Sequence, residues 1–493
     1  MNLGLSILPF FNRVEKAALR AVEAEVEWFC LPAGQTLFEE GEIADSFYLV
    51  RSGALAAFRR GADARPELVG HIRAGEPIGE MALVEDRPHS ASVYALRDSE
   101  LVKLPKAAFD KLTNKHASLM RELSKMMLSR IRAGESYRRS EPRVFALIST
   151  SPTIDLEYRS QQLRDALEEM GVSSISCGEE CADWPGPRLD KFEAEYDIVI
   201  LQARLGNSNW ARRAMARADR IWMMARADAR PSIPLMPEDP SPAAKLKLID
   251  MVMVHNEGVR KAANPSEWIA AADAARCFHW RQQNASDVRH MARTMCGKSV
   301  GLVLSGGGSR AYAHVGAIRA FKEAGVEFDF YGGASMGGII AAGAAMGWDM
   351  DELEDRMRRA FVDSNPLSDW VMPVVSLTKG KRVDRRLKEH FGEIDISELP
   401  RPFFCVSSSL SSGATRIHRT GVLSRALRAS IAIPGLLPPI VDGDDVLVDG
   451  AVFNNFPIQE LKAYHRGVNV GCDVTRNNAI NPDDFRDVPS FTG

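Results

Sequence analysis

The chain has 493 residues, of which 45% are hydrophobic and 26% charged. That balance excludes wholesale disorder and makes room for about three domains. Its 62 Lys and Arg against 65 Asp and Glu leave a net charge of −3, which excludes a general nucleic-acid-binding footprint.

Residues 1–140 begin with short apolar runs: Gln35–Phe38, Ser46–Val50, Ala54–Phe58, Ala91–Leu96 and Glu100–Leu104. Period-two alternation between close glycine turns is the pattern of a β-roll. Leu112, Met120, Leu123, Met127 and Ile131 then recur at helical spacing, predicting a helix from Lys106 to about Arg139. In residues 141–297 the runs Val144–Ile148, Ile175–Cys177, Ile198–Leu201, Ile221–Met224 and Val252–Val254 are separated by helical stretches. This alternation predicts a Rossmann-like parallel α/β domain. Its first strand is followed by Ser149-Thr150-Ser151-Pro152-Thr153, with no Gly and no Lys. A phosphate cradle needs those residues, so the domain reads as a structural or docking element that links its neighbours. Residues 298–475 return to strand–helix alternation, now rich in glycine, and residues 476–493 form a polar tail.

The third domain carries the chemistry. Val300–Leu304 is an apolar strand, Ser305-Gly306-Gly307-Gly308-Ser309-Arg310 follows, and a helix runs from Ala311 to Ala324. Bare backbone N–H groups at a helix N-terminus bind an anion. A nucleotide-phosphate loop is the alternative use, but the spacing is not GxGxxG and no Lys precedes a Ser or Thr. One strand later, Gly333-Ala334-Ser335-Met336-Gly337 places GxSxG at a strand–helix junction. There the glycines permit the sharp turn that exposes a serine Oγ. An oxyanion loop beside an elbow serine is what acyl transfer requires. For the base, Asp449 ends the strand Val446–Val448, just before Gly450-Ala451. The nearby histidines are His314, His418 and His465. The α/β-hydrolase order would be Ser335, Asp449, His465, although Lys462-Ala463-Tyr464-His465-Arg466 reads as a solvated helix end.

Gly306-Gly307-Gly308-Ser309-Arg310, Gly333-Ala334-Ser335-Met336-Gly337 and Asp449-Gly450-Ala451 together resemble the three signature blocks of the patatin-like phospholipases. Ala429–Gly435 and Asn454-Asn455-Phe456-Pro457 are similar too. The resemblance covers residues 298 to about 472. It implies an α/β/α fold and a Ser335–Asp449 dyad without histidine. It also implies an oxyanion hole from Gly306, Gly307, Gly308 and Met336, supported by Arg310, Gly333, Gly337 and Gly450. Ala311 departs from the family, which usually has Gly there, but removes no donor N–H. With its N-terminal roll the whole chain is similar to the neuropathy target esterase branch, whose members are lysophospholipases. The present chain has one roll and no apparent spanning segment.

The roll itself resembles a cyclic-nucleotide-binding domain in Leu31–Phe38, Gly41, Asp45, Phe47, Tyr48 and Gly53. Ile78-Gly79-Glu80-Met81-Ala82-Leu83 looks like its phosphate cassette, in which the Glu meets the ribose. The cassette's Arg position, however, holds His89, followed by Ser90. A neutral imidazole does not replace a bidentate guanidinium, and Arg87 is the one nearby candidate to compensate. The expectation is that Gly79, Glu80, His89 and Ser90 line a pocket that does not respond to cyclic nucleotides.

These observations predict a serine hydrolase of phospholipid or lysophospholipid esters, regulated by the roll and needing no metal or other cofactor. The alternative is a ligand-sensing or scaffold protein with a silent hydrolase domain. Seven sparse cysteines, Cys30, Cys177, Cys181, Cys277, Cys296, Cys405 and Cys472, point to a reducing compartment. Cys177 and Cys181 are too isolated to be half of a zinc site. The first residues lack a secretory leader, and no apolar run reaches the about 18 residues a span needs, so a cytoplasmic, at most peripheral, protein is expected. Trp370-Val371-Met372-Pro373-Val374, with Lys379, Lys381 and Arg382 after it, fits docking on an anionic membrane. A buried strand with a basic turn is the commoner use of so short a run and is the expectation.

Overall fold

The computed structural model describes residues 5, 9–11, 14–60, 66–137, 142–206, 208–232, 235, 248–259 and 262–475. The polar tail 476–493 lies outside them. The chain divides into two compact units, 1–297 and 298–493.

The first unit holds the roll and the linking domain. Two antiparallel four-stranded sheets form the roll. One orders Glu27–Leu31, Ser99–Pro105, Ser46–Ser52 and Pro77–Ile78, and the other orders Thr36–Phe38, Ser92–Ala95, Ala54–Arg60 and Pro66–Arg73. The helix predicted from Lys106 is two, Lys106–Lys115 and Ala117–Tyr137, because His116 adopts an extended conformation between them. The linking domain is a six-stranded parallel sheet. Its order is Ser174–Cys177, Ile198–Arg204, Val144–Ser149, Arg220–Arg226, Ile249–His255 and Arg276–Arg281. After the first strand, Ser149 Oγ donates to Ser151 O and Asp155 caps the helix Leu156–Glu169 by accepting the Tyr158 N–H. A carboxylate already occupies the helix end where a phosphate would sit.

Largely buried ion pairs join roll to linking domain. Arg97 of the roll meets Glu193 at 2.7 Å, Glu193 also meets Arg217 at 2.8 Å, and Arg73 lies 3.6 Å from Asp219. Burial pushes the Asp219 carboxyl up, but His71, Arg97 and Arg73 outweigh it and hold the group below the ordinary range. The strand Ser174–Cys177 runs into a 3-10 turn, Glu179–Cys181, that folds back on it, and Cys177 and Cys181 are joined in a disulfide.

The second unit is a seven-stranded mixed sheet between helices. Its main path orders Ile440–Asp442, Asp445–Asp449, Phe403–Ser409, Phe330–Ala334, Val300–Leu304 and Val468–Cys472, and Ala414–His418 pairs with Phe403–Ser409. The central strands Val300–Leu304, Phe330–Ala334 and Phe403–Ser409 are buried almost throughout, as strands of a sheet covered by helices are. The helix Ser335–Ala345 buries every residue except Met336, so it is apolar on all sides. Leu302, Leu304, Ile339, Ile340 and Phe403 share its core.

Candidate active site

Two strands deliver the two key side chains to one edge of this sheet. Phe330–Ala334 ends at Ser335, which opens its helix with φ of +52°. A left-handed φ at a non-glycine residue is a strained elbow, the backbone device that lifts a serine Oγ out of the sheet. The Ser430 hydroxyl accepts the Ser335 N–H at 2.9 Å and fixes that turn. Asp445–Asp449 runs antiparallel to Phe403–Ser409 and ends at Asp449, whose N–H donates to Ala432 O. Ser335 Oγ donates to Asp449 Oδ2 at 2.7 Å, and the Ala451 N–H donates to Asp449 Oδ1 at 2.8 Å. Only 5% of Ser335 and 3% of Asp449 is exposed. Burial raises the Asp449 carboxyl above its ordinary range, against the lowering pull of the Ala451 N–H and the Ser335 hydroxyl. A proton on Ser335 Oγ therefore faces a desolvated, more basic carboxylate.

None of the three histidines touches this pair. His314 Nε2 bonds Ser305 O at 2.9 Å, and His418 Nε2 bonds Ser407 Oγ at 2.7 Å. His465 is buried, not solvated as its Lys and Arg neighbours suggested. It stacks on Phe330, accepts the Gly467 N–H at Nδ1 and reaches Asn469 Oδ1 from Nε2.

The glycine loop lies against the serine. A side chain at Gly306 would meet Asn455 Oδ1 at 2.5 Å and Ser335 Cβ at 3.0 Å. The Gly306 N–H donates to Asn455 O at 3.1 Å, whereas an oxyanion donor needs its N–H free. Lacking a side chain, Gly306 lets the loop approach Ser335. The Gly307 and Gly308 N–H groups have no protein acceptor among the described residues. Gly308 takes a left-handed φ of +55°, a conformation that suits glycine. The Met336 N–H, in the first turn of its helix, lacks an intrahelical acceptor by geometry. Arg310 is exposed on the 3-10 turn that follows the loop. Gly333, Gly337 and Gly450 are points of close backbone approach, each with a backbone atom within 2.7 Å of where a Cβ would be. Two contributors escaped the residue-level reading. Ser430 holds the elbow, and Asn455 clamps Gly306 on both sides, with its carbonyl on the N–H and its Nδ2 on the carbonyl at 3.2 Å.

In the roll, Gly79 has φ of +82° and precedes the helix Glu80–Glu85, whose Glu80 is buried. His89 is buried as well. Its ring stacks on Phe38 with centroids 3.5 Å apart, and its backbone exchanges hydrogen bonds with Gly41 and Glu42. Burial lowers the His89 pKa against the pull of Glu42 and Asp45. Ser90 is exposed. Arg87 turns outward to Glu85 at 3.8 Å.

Comparison with known proteins agrees with this layout. The patatin-like phospholipase profile matches residues 302–462, the cyclic nucleotide-binding domain profile 29–116, and the neuropathy target esterase family P-loop like domain profile 187–295. An NTE family protein of Mycobacterium tuberculosis is 31% identical over 96% of this chain and 80% of its own length. The chain belongs to the neuropathy target esterase family. Other members of this family are longer. Lysophospholipase NTE1 of Phaeosphaeria nodorum is 25% identical and matches 95% of this chain with 37% of its own length. Patatin-like phospholipase domain-containing protein 6 of Pongo abelii is 25% identical, with 92% and 38% covered. As a family member the chain carries a cyclic-nucleotide-binding-type roll, a P-loop-like domain and a patatin-like phospholipase domain. No helix among the described residues is long and apolar enough to cross a membrane.

Proposed function

We propose that the protein hydrolyses carboxylic esters of phospholipids or lysophospholipids through an acyl-enzyme on Ser335. The observation that carries this is the 2.7 Å bond from Ser335 Oγ to the buried Asp449 carboxylate at an elbow with left-handed φ. Asp449 takes the serine proton as Oγ attacks the ester carbonyl. The Gly307, Gly308 and Met336 N–H groups receive the charge that develops on the carbonyl oxygen. The proton then passes from Asp449 to the leaving alcohol, and water cleaves the acyl-enzyme with Asp449 again as base. The phospholipase and lysophospholipase names of the relatives support a lipid substrate. A fluorophosphonate probe tests the reading, since only an activated serine reacts: labelling is expected at Ser335 and is lost in Ser335→Ala. An unlabelled parent chain would favour the alternative, a scaffold with a silent hydrolase domain.

The roll regulates or packs without sensing cyclic nucleotides. A cyclic phosphate carries a full negative charge, and its desolvation costs several kcal/mol unless a fixed cation compensates. His89, neutral and stacked on Phe38, supplies none at neutral pH, and Arg87 faces away. Calorimetry with cyclic AMP or cyclic GMP at micromolar levels is expected to show no heat of binding. Binding gained in His89→Arg would locate the loss at that position, and micromolar binding by the parent chain would refute it.

A further inference from the structure

The stretch read from sequence as a buried strand is on the surface. Trp370, Val371, Met372, Val374, Val375 and Leu377 are 39% to 85% exposed. Single exposed apolar residues are ordinary, but six within eight positions form a patch of the kind that marks an interaction site.

The patch is a built element. Trp370 bridges Thr378, the Val371 N–H donates to Leu377 O, and the Lys379 N–H donates to Asp369 O, closing a hairpin. The polar residues of its returning arm turn inward. Ser376 Oγ bonds Thr378 O, and Thr378 Oγ1 bonds Leu436 O. The Leu377 and Thr378 N–H groups donate to Gly435 O and Leu436 O. That places the hairpin on the 432–437 loop, whose Ala432 O receives the Asp449 N–H. The apolar tip is thus fixed to the same loop that seats the proposed base. Ile433 of that loop is exposed too, as are Val452 and Phe453, just after Asp449.

Charge selects the occupant. From Lys379 to Lys388 the chain carries six basic residues and a single acidic one, Asp384, against a net charge of −3 for the whole. Asp384 is already held by the buried Arg428 at 2.8 Å. Lys379, Lys381 and Arg385 are exposed and have no carboxylate partner among the described residues. An apolar tip beside unpaired cations matches a bilayer whose surface is anionic, with the tip among the acyl chains and the cations at the headgroups. We propose that the hairpin 369–379 and the adjoining basic helix Lys381–Phe391 dock the protein on an anionic lipid surface, so that lipid reaches Ser335 from the membrane. This rests on the lipid-hydrolase reading above.

The test is cosedimentation of the full chain, as Ser335→Ala to prevent turnover, with vesicles of phosphatidylcholine alone or mixed with phosphatidylserine. Met372→Glu/Val374→Glu changes two exposed tips. It is expected to weaken binding to the mixed vesicles by at least about tenfold. In the Ser335 form it should lower hydrolysis of vesicle-borne lysophospholipid alike. Hydrolysis of a soluble short-chain ester should stay within about twofold. Lys381→Glu/Arg385→Glu should weaken binding to the mixed vesicles only. Unchanged vesicle binding in the tip variant overturns the proposal, as does equal binding of the parent chain to both vesicles. Loss of soluble-ester hydrolysis in the tip variant also overturns it, because the hairpin is then part of the site's scaffold. A parent chain that ignores vesicles but self-associates through the tips would put a second copy there and equally overturn it. If neither ester is cleaved yet vesicle binding needs the tips, the hydrolase reading fails and the docking surface stands.

Discussion

Ser335→Ala and Asp449→Asn are each expected to lower lysophospholipid hydrolysis by at least about 10⁴-fold. The first removes the attacking oxygen. The second keeps the shape but leaves nothing basic enough to take the serine proton. His465→Ala is expected to retain turnover within about tenfold of the parent while losing about 2–4 kcal/mol of stability. Its ring packs on Phe330 and bridges the Gly467 N–H to Asn469, away from both dyad members. A His465→Ala protein that is folded but dead would turn the dyad into a triad. As the proposed base, Asp449 is also expected to set the pH dependence of activity. Its carboxyl is raised by burial and must be ionised to act, so activity is lost as pH falls through a value above the usual carboxylate pKa of about 4. Stability runs the other way. A carboxyl with a raised folded pKa favours the fold when protonated, and that contribution disappears as pH rises through the folded value. At neutral pH the buried carboxylate therefore costs the fold stability, and Asp449→Asn is expected to melt no lower than the parent chain. Rates across acid pH and melting temperatures at neutral pH check both signs. An acid limb at the ordinary carboxylate pKa would argue against Asp449 as base.

Ser335 and Asp449 were legible because each follows an apolar strand directly and is flanked by glycine, so their position at a sheet edge is written locally. Five of the roll's eight described strands were legible from their apolar alternation, whereas Glu27–Leu31, Pro66–Arg73 and Pro77–Ile78 were not. What failed was decided by distant partners. Arg276–Arg281 escaped as a strand because Arg276, His279 and Arg281 interrupt its apolar residues. Arg276 is buried against Asp250 at 2.6 Å, and the partly exposed Arg281 pairs with the buried Asp287 at 2.7 Å. His465 sits among Lys462, Tyr464 and Arg466, which advertise solvent, but the turn into Val468–Cys472 folds it under Phe330. Trp370–Leu377 failed in the opposite sense: its apolar residues advertise a core, whereas its Ser376 and Thr378 side chains are the ones the fold buries. Gly306 reads as an oxyanion donor from its motif, whereas the bond from its N–H to Asn455 O, about 150 residues later, is not written locally.

Gly337→Ala is expected to cost at least about 100-fold in kcat/KM, a larger loss than its single methyl suggests. A Cβ at Gly337 would fall 2.3 Å from Ser305 O and 2.5 Å from Leu304 O. Both are backbone, so neither can swing aside as a side-chain tip does. Leu304 ends the strand that feeds the glycine loop, and Ser305 begins the loop itself, with its carbonyl held by His314 and its hydroxyl by the Val474 N–H. Relief must then come from moving the Ser335 helix and the oxyanion loop apart by about 1 Å, a displacement that costs about a hundredfold where reacting atoms must align. The overpacked contact should also lower stability by about 1–3 kcal/mol. Gly316→Ala is the control. Gly316 lies in the helix Ala313–Glu323 that follows the same loop, and a Cβ there meets nothing within 4 Å. That substitution is expected to leave kcat/KM unchanged and to raise stability by about 0.5–1 kcal/mol, since alanine restricts the unfolded chain and favours helix. The two variants add the same methyl on neighbouring helices of the same domain. A loss confined to Gly337→Ala would therefore assign it to the spacing between nucleophile and loop. Equal rates in both would mean that the loop does not need that spacing to hold the oxyanion.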